Sequence, residues 1–257
     1  MSKPNKLSES DQKHKKIAEI LALSFGFFFF IHFLITSVLY SWADWSATLI
    51  FSLFLIIPAY ISNAGMVLVG GGKPIDGGRN FFDGRRLFGD HKTWKGIIFG
   101  PLYVGIPISI GIFLLFFILW ESIIPIIQTA SDAGIYKLYI DISVYEYYFV
   151  GIGYPVGFIY LIIRVIICSY GAGIGDLIGS FLKRRFNIAS GKPFWVVDQL
   201  DFAIFTIIFT SIIALILPNQ FLIPDLNIIL FLLILTPSVS IIANIIGYFL
   251  GVKEVPW

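Results

Sequence analysis

Long apolar segments separated by shorter polar ones dominate the hydropathy pattern of this chain. A membrane-spanning helix needs about 20 apolar residues, because each residue advances about 1.5 Å through roughly 30 Å of hydrocarbon. The pattern predicts an all-α fold, a polytopic bundle of about six transmembrane helices. The six candidate spans are Ile20–Tyr40, Ala47–Val69, Gly96–Trp120, Tyr147–Tyr170, Phe202–Leu217 and Asn227–Leu250.

Composition supports a membrane protein with little room for a separate soluble domain. The chain is 57% hydrophobic and 13% charged, against roughly 25% charged for soluble domains, and its mean hydropathy is +0.87. The single cysteine, Cys168, excludes an internal disulfide. Residues 121–146 carry four acidic residues among apolar ones, and we expect an extramembrane hairpin or a surface helix there.

The basic residues fall almost entirely on one face of the predicted bundle. With six spans, that face carries residues 1–19, the 70–95 loop, the 171–201 segment and the C-terminal tail, which together hold 16 of the 18 Lys and Arg residues. Lys137 is predicted on the opposite face and Arg164 within the fourth span. Because cytoplasmic loops are enriched in Lys and Arg, this face is expected to be cytoplasmic, where nucleotides and magnesium are available. The formal net charge of +2 gives no indication of a nucleic-acid partner.

Residues 73–95, KPIDGGRNFFDGRRLFGDHKTWK, form the first polar segment. Its glycines allow backbone N–H groups to face an anion, since glycine reaches positive φ without penalty. The cations could serve only to orient the chain, but orientation needs neither so many of them nor the interleaved Asp83 and Asp90. We therefore predict phosphate binding, for which arginine offers a planar fork and lysine a point charge. The candidate residues are Arg85, Arg86, Lys92 and Lys95.

Residues 171–201 form the second polar segment. Glycines recur every four residues from Gly171 to Gly179, a small-residue stripe that lets helices approach closely. Asp176, Ser180 and Lys183/Arg184 follow one another at helical spacing on an adjoining face.

Asp198 and Asp201 are three residues apart, so their carboxylates would share one face of a helix. Together with Asp176 they suit Mg²⁺, which prefers carboxylates, water and substrate phosphates. Two alternatives stay open: a structural ion pair for Asp176, and an acidic helix N-terminus favoured by the helix dipole for the other two.

Two polar residues within the predicted spans allow more than one interpretation. Asn63 either makes a helix-packing hydrogen bond or lines a ligand cavity. Arg164 either snorkels to the interface or contacts an anionic lipid head group.

The strings PIDGGRNFFDGRRLFGDHKTWKG and GAGIGDLIGSFLKRRFNIASGKPFWVVDQLDF resemble the archaeal CDP-archaeol synthases. These are CTP:2,3-di-O-geranylgeranylglycerol-1-phosphate cytidylyltransferases, related to bacterial CDP-diacylglycerol synthases. The resemblance runs from about Pro58 to the terminal VKEVPW. It implies a compact multi-pass helical bundle in the cell membrane, a polar cavity open to the cytosol, Mg²⁺ dependence, and CTP and an isoprenoid ether-lipid phosphate as substrates.

Three departures from the family pattern affect what the resemblance implies, one of them a 121–146 segment that looks longer than usual. The first span and its basic leader look additional to a five-span core, so we expect residues 1–45 to be a leader with an extra helix and residues 46–257 to be the cytidylyltransferase domain. The spacing of Asp198 and Asp201 also differs from the acidic pair that ends the bacterial signature, which weakens a transfer of metal roles from that branch.

On this basis each candidate residue receives an expected role. The expected metal ligands are Asp176, Asp198 and Asp201. The expected catalytic residues are Asp176, Lys92, Lys95, Lys183 and Arg184. The residues expected to bind CTP or the lipid phosphate are Arg85, Arg86, Asp83, Asp90, Asn63 and Ser180.

Two other functions are weighed against this one. A CTP-dependent polyprenol or phytol kinase would share the membrane, the nucleotide and the metal, but would transfer the γ-phosphate. A small-molecule transporter would place its polar residues near the membrane centre, often on broken helices in paired repeats. Here the charge gathers on one face and the sequence has no evident repeat, so a transporter is disfavoured.

Overall fold

The computed structural model describes residues 9–134, 142, 146, 150–189 and 192–249. A π-helical turn, Pro101–Gly105, joins the helices Trp94–Gly100 and Ile106–Ile118. The α-helices are α1 Glu9–Leu39, α2 Trp42–Val69, α3 Trp94–Gly100, α4 Ile106–Ile118, α5 Trp120–Ala133, α6 Val156–Arg185, α7 Val197–Ile216 and α8 Leu226–Phe249.

Within the described residues, six helical stretches are long and apolar enough to cross a membrane. This confirms the predicted all-α multi-pass fold. The stretches are Gln12–Leu39, Trp42–Val69, Trp94–Ile118, Val156–Arg185, Val197–Ile216 and Leu226–Tyr248.

The predicted ends of the fourth and fifth spans were wrong. Helix α6 begins at Val156 and continues to Arg185, well beyond the predicted end at Tyr170. Helix α7 begins at Val197, five residues before the predicted start. Hydropathy marks where a helix leaves the bilayer, whereas the helix itself continues as long as one face stays packed, as that of α6 does against α7.

Residues 121–146 are described only in part. Their first half lies in α5, so a helix, one of the two expected forms, is present there. Ile127 and Ala130 are fully buried, which shows that this helix packs on the bundle. Lys137 and the C-terminal residues from 250 onward lie outside the described residues.

The glycine stripe of α6 allows α7 to approach closely, as predicted. A Cβ atom on Gly175 would lie 2.5 Å from the Asp201 carbonyl oxygen and 2.7 Å from the Phe202 Cα atom. Real Cβ atoms essentially never come that near to a backbone, so the approach of the two helices requires glycine at this position.

Arg164 neither snorkels nor contacts lipid, so both sequence-based interpretations were wrong. Its side chain is fully buried, and Nη1 donates a hydrogen bond of 2.8 Å to the Phe54 carbonyl. Pro58 lacks the N–H that would otherwise bond this carbonyl in α2. The guanidinium also lies 4.7 Å from the Phe113 ring centroid. Arg164 therefore satisfies a carbonyl that the proline leaves without its helical partner.

Helix α1 is attached to the bundle by polar as well as apolar contacts. His32 Nε2 lies 3.1 Å from Asn227 Oδ1 in α8, and Asn227 Nδ2 donates to Thr48 Oγ1 of α2 at 3.3 Å. Phe29 packs edge-on against Trp45 with ring centroids 5.5 Å apart. These contacts fix the half of α1 that leads into α2.

Candidate active site

The loop between α2 and α3 folds around one buried carboxylate, Asp76. This carboxylate accepts hydrogen bonds from the Gly78, Phe88 and Gly89 amides at 3.0, 3.1 and 2.9 Å. Arg86 adds two more, from Nε at 3.2 Å and Nη2 at 3.1 Å. Burial alone would raise the pKa of Asp76, but these donors outweigh it and hold the pKa well below its ordinary value. Asp76 is thus ionised and organises the loop.

Asp76 received no role from the sequence, although a signal was present. An aspartate followed by two glycines is typical of a turn in which the carboxylate bonds a backbone N–H two residues on. Gly78 supplies that N–H, and its φ of +81° is one that glycine adopts without strain.

Arg185 at the end of α6 clamps the same loop. It donates from Nη1 to Asp83 Oδ1 at 2.9 Å and from Nη2 to the Arg85 carbonyl at 3.2 Å. Arg85 Nη1 in turn donates to the Arg185 carbonyl. The Arg185 guanidinium also lies 4.9 Å from the Phe81 ring centroid and 4.6 Å from that of Phe181. Asp83 and Arg85, both expected at the substrate, therefore also hold the loop against α6.

The loop closes one side of a cavity of about 350 Å³, whose other walls come from α2, α3 and α6. Lys92 reaches across it and donates to both carboxylate oxygens of Asp176, at 2.7 and 2.6 Å. Each of these two side chains keeps about a quarter of its surface exposed. The cavity lining includes four of the residues predicted from the sequence: Asn63, Asp90, Lys92 and Asp176.

A second acid–lysine pair lies where α6 and α7 meet. Lys183 Nζ donates to Asp198 Oδ2 at 2.6 Å, and the Phe194 amide donates to the same oxygen at 2.9 Å. Both Asp176 and Asp198 thus pair with a lysine, which was the structural alternative considered for Asp176. The Lys92–Asp176 pair lines the cavity, and the Lys183–Asp198 pair joins α6 to α7. An aspartate can therefore form an ion pair and still be available to a substrate or a metal.

Asp201 lies in the groove that the glycines of α6 leave open. Its Oδ1 accepts the Phe202 amide at 2.6 Å. A Cβ atom on Gly179 would overlap Asp201 Oδ2 and lie 2.8 Å from its Cγ atom. The carboxylate is also near enough to Asp176 and Asp198 for their charges to repel its own. The predicted metal-binding aspartates are therefore electrostatic neighbours.

The remaining predicted residues are dispersed around this site. Lys95 is exposed on the first turn of α3, whereas Ser180 is buried in α6. Arg184 lies against the loop, since a Cβ atom on Gly89 would be 4.0 Å from its Nε. Asp90 accepts from Arg86 Nη2 at 2.6 Å and keeps 72% of its side chain exposed.

The donor set suits Mg²⁺ bound together with a substrate. Among the residues that the structure describes, no three or more His, Cys, Asp or Glu side chains lie together as a group that could hold a metal ion. Mg²⁺ does not require one, because it usually keeps several waters and binds one or two carboxylates plus substrate phosphates. Asp176 and Asp198 are partly exposed and could provide those carboxylates.

Gly179→Ala tests the groove around Asp201. The added methyl group would displace the carboxylate, and such overpacking costs about 1–3 kcal/mol, so we expect activity to fall about tenfold. Gly111→Ala in α4 is the matched control, because its Cβ would meet no atom within 4 Å. The measurement is the steady-state turnover rate of each purified variant relative to the parent protein. Equal rates would show that the position of the Asp201 carboxylate does not matter.

Comparison with known proteins places this site in a family. Residues 46–131 and 120–257 match the sequence model for CarS-like CDP-archaeol synthase. The CDP-archaeol synthase of Methanococcus aeolicus is 37% identical over 206 residues, which cover 80% of this chain and 95% of that relative. That of Thermococcus kodakarensis is 36% identical over 213 residues, covering 83% of this chain and 99% of that relative.

A solved structure of an intramembrane enzyme for archaeal membrane lipid biosynthesis is 27% identical, with a TM-score of 0.46, and covers 75% of this chain and 92% of that one. Residues 1–45 lie outside both segments matched by the family model. Their separation as a leader with an extra helix stays a prediction. The matched segments contain both polar segments, and the chain belongs to the CarS-like CDP-archaeol synthase family.

Proposed function

We propose that this membrane protein is a CDP-archaeol synthase that joins CTP to the phosphate of an archaeal ether lipid and releases pyrophosphate. The observation that carries the proposal is the Lys92–Asp176 pair, which lies in the cavity between the glycine-rich loop and α6. Family membership supports the activity, and the chemistry of the pair supports a phosphate-bearing substrate in this cavity.

The reaction we propose is an in-line displacement at the α-phosphorus of CTP. An oxygen of the lipid phosphate forms the new P–O bond, and the bond to the bridging oxygen breaks with its electrons leaving on pyrophosphate. The nucleophile is already an anion, so the chain needs no general base. Catalysis then depends on positioning and on neutralising negative charge.

Lys92 is the cation best placed for that task. Its ammonium is held in the cavity by Asp176 and remains partly exposed, so it can also meet a triphosphate oxygen. Lys95 adds positive charge nearby on the first turn of α3. Lys183 and Arg184 are assigned to the lipid phosphate or to a second nucleotide phosphate. Arg85 and Arg86 hold the fold of the loop and so act on triphosphate binding indirectly.

Asp176, Asp198 and Asp201 would hold Mg²⁺, with Asp201 in the groove beside Gly179. When bound, Mg²⁺ would supply positive charge against the negative charge of the reacting phosphates. The lysines paired with Asp176 and Asp198 offset part of the repulsion among the carboxylates.

The substrates are expected to reach the site from different phases. CTP would enter from the cytoplasm, because the positive-inside rule predicts both polar segments on that side. The isoprenoid chains would stay in the bilayer while the lipid phosphate enters between helices. The site would therefore lie on the cytoplasmic side of the cell membrane.

Product analysis tests the proposed reaction. Purified protein with Mg²⁺, CTP labelled at the α-phosphate and an isoprenoid ether-lipid phosphate should yield a labelled lipid and pyrophosphate. Release of CDP with a label-free lipid would instead identify a γ-phosphate kinase and would contradict the proposal. A panel of ether- and ester-linked lipid phosphates in the same assay defines which tails are accepted.

A further inference from the structure

A strained turn lies directly before α7, two residues from Asp198. Val196 has φ +69° and ψ −44°, a positive-φ conformation that β-branched residues rarely adopt. Such strain persists only where the surrounding structure holds it, and it is frequent at functional sites. Here the turn is closed by the Asp198 amide, which donates to the Phe194 carbonyl at 3.0 Å. The Phe194 amide bonds the Asp198 carboxylate in return, so the turn fixes this side chain.

Two aromatic contacts hold the turn, one through Phe194 and one through Trp195. Phe194 packs on Phe186, with ring centroids 5.4 Å apart, just beyond the end of α6. Trp195 packs on His14 of α1, with ring centroids 5.9 Å apart. The second contact joins the active-site segment to a helix that the family model does not match.

Helix α1 is suited to carry such a contact. Its far end is held by the hydrogen bond between His32 and Asn227, described above. From there the helix continues without interruption to His14. A ring at position 14 is therefore held by a long helix whose other end is attached to α2 and α8.

We propose that His14 is a positioning residue for the reaction, because its ring holds Trp195 and thereby the strained turn that presents Asp198. The inference rests on the proposed function for the role of Asp198. The proposed role acts through the ring contact between His14 and Trp195. The leader and first helix thereby stabilise the active site of this chain, in addition to spanning the membrane.

His14→Ala in the full-length protein is the direct test. Loss of the ring contact should increase deuterium exchange at the backbone amides of residues 194–200, measured by mass spectrometry. The kcat should fall about two- to tenfold, the range expected for loss of one aromatic contact. His14→Phe keeps a ring against Trp195 and should restore both values. Lys16→Ala, an exposed neighbour on the same helix, is the matched control and should change neither.

Relief of the strain provides a second, independent test. Glycine adopts positive φ without penalty, so Val196→Gly should make the turn less dependent on its anchors. The double variant His14→Ala/Val196→Gly should therefore recover most of the kcat lost in His14→Ala. A double variant no faster than His14→Ala would overturn the proposed link between the ring contact and the strained turn.

The outcomes also separate this inference from the proposed function. Unchanged exchange in His14→Ala would show that the ring does not hold the turn. Increased exchange with an unchanged kcat would show that the contact does not position the reaction. If the parent protein forms no CDP-lipid, the proposed function fails, and the exchange measurement still decides whether His14 holds the turn.

Discussion

Replacing Asp176 with Asn should lower the rate of CDP-lipid formation by about a hundred- to a thousandfold, as for other residues that stabilise transition-state charge. The amide has nearly the same shape, but it offers Lys92 no negative charge and binds a divalent cation poorly. Lys92 would lose the carboxylate that now holds it at 2.6 and 2.7 Å. The measurement is kcat for labelled CTP and the lipid phosphate at saturating Mg²⁺.

Asp132→Asn is the matched control, since it makes the same chemical change in an exposed side chain at the end of α5. Gel filtration in detergent should show that both variants fold and insert like the parent. Near-normal turnover in Asp176→Asn would leave only the structural ion pair and would remove Asp176 from the catalytic assignment.

The sequence predicted the membrane architecture well because hydropathy reports directly on residence in the bilayer. All six spans appear, and the small-residue stripe around Gly175 brings α6 and α7 together. The C-terminal end of α6 and the start of α7 were predicted wrongly, because hydropathy does not report on helix that continues outside the bilayer. Residues 171–185 are polar enough to leave the hydrocarbon, but they stay helical because one face remains packed against α7.

The sequence predicted which residue types form the site, but only partly which side chains contact one another. Lys92 and Asp176 are 84 positions apart, and no spacing rule shows that they meet. Asp198 and Asp201 were expected on one helical face, yet each has a different neighbour: Lys183 for Asp198 and the Gly179 groove for Asp201. Such pairings depend on how helices pack, which a single sequence does not state.

Residues that hold the site were harder to recognise than those that line it. Arg185 looks like one more positive-inside cation, although its guanidinium fits between two phenylalanine rings and the loop carbonyls. Val196 is an ordinary apolar residue in the sequence, and only its backbone conformation distinguishes it. Supporting roles of this kind arise from geometry that residue type does not encode.

The lowered pKa of Asp76 has a consequence for the pH dependence of the loop. A carboxylate whose folded-state pKa lies below the unfolded value stabilises the fold above the unfolded pKa, and the contribution disappears only as pH falls through the folded value. The loop should therefore keep its structure while the pH is lowered from 7 to about 4, the ordinary range of an aspartate. Tryptic or peptic cleavage within residues 76–90 should stay slow across that window.

Asp76→Ala should disorder this loop and thereby lower activity. The substitution leaves the Arg86 guanidinium and three backbone amides without their shared acceptor. Breaking a buried pair of this kind costs about 3–5 kcal/mol, and the lower end applies because Arg86 keeps 29% of its side chain exposed. About 3 kcal/mol increases the open population roughly a hundredfold, since each 1.4 kcal/mol is a factor of ten.

Limited trypsin digestion measures this directly, because Arg85 and Arg86 lie half-buried within the loop and become accessible when it opens. Cleavage there should accelerate in Asp76→Ala while the transmembrane helices stay intact, and Asp132→Ala should be cut like the parent. Added CTP should slow the cleavage of the parent if the loop borders the nucleotide. A variant cleaved no faster than the parent would mean that the Arg185 clamp alone holds the loop, and Arg185→Ala would then be the substitution that opens it.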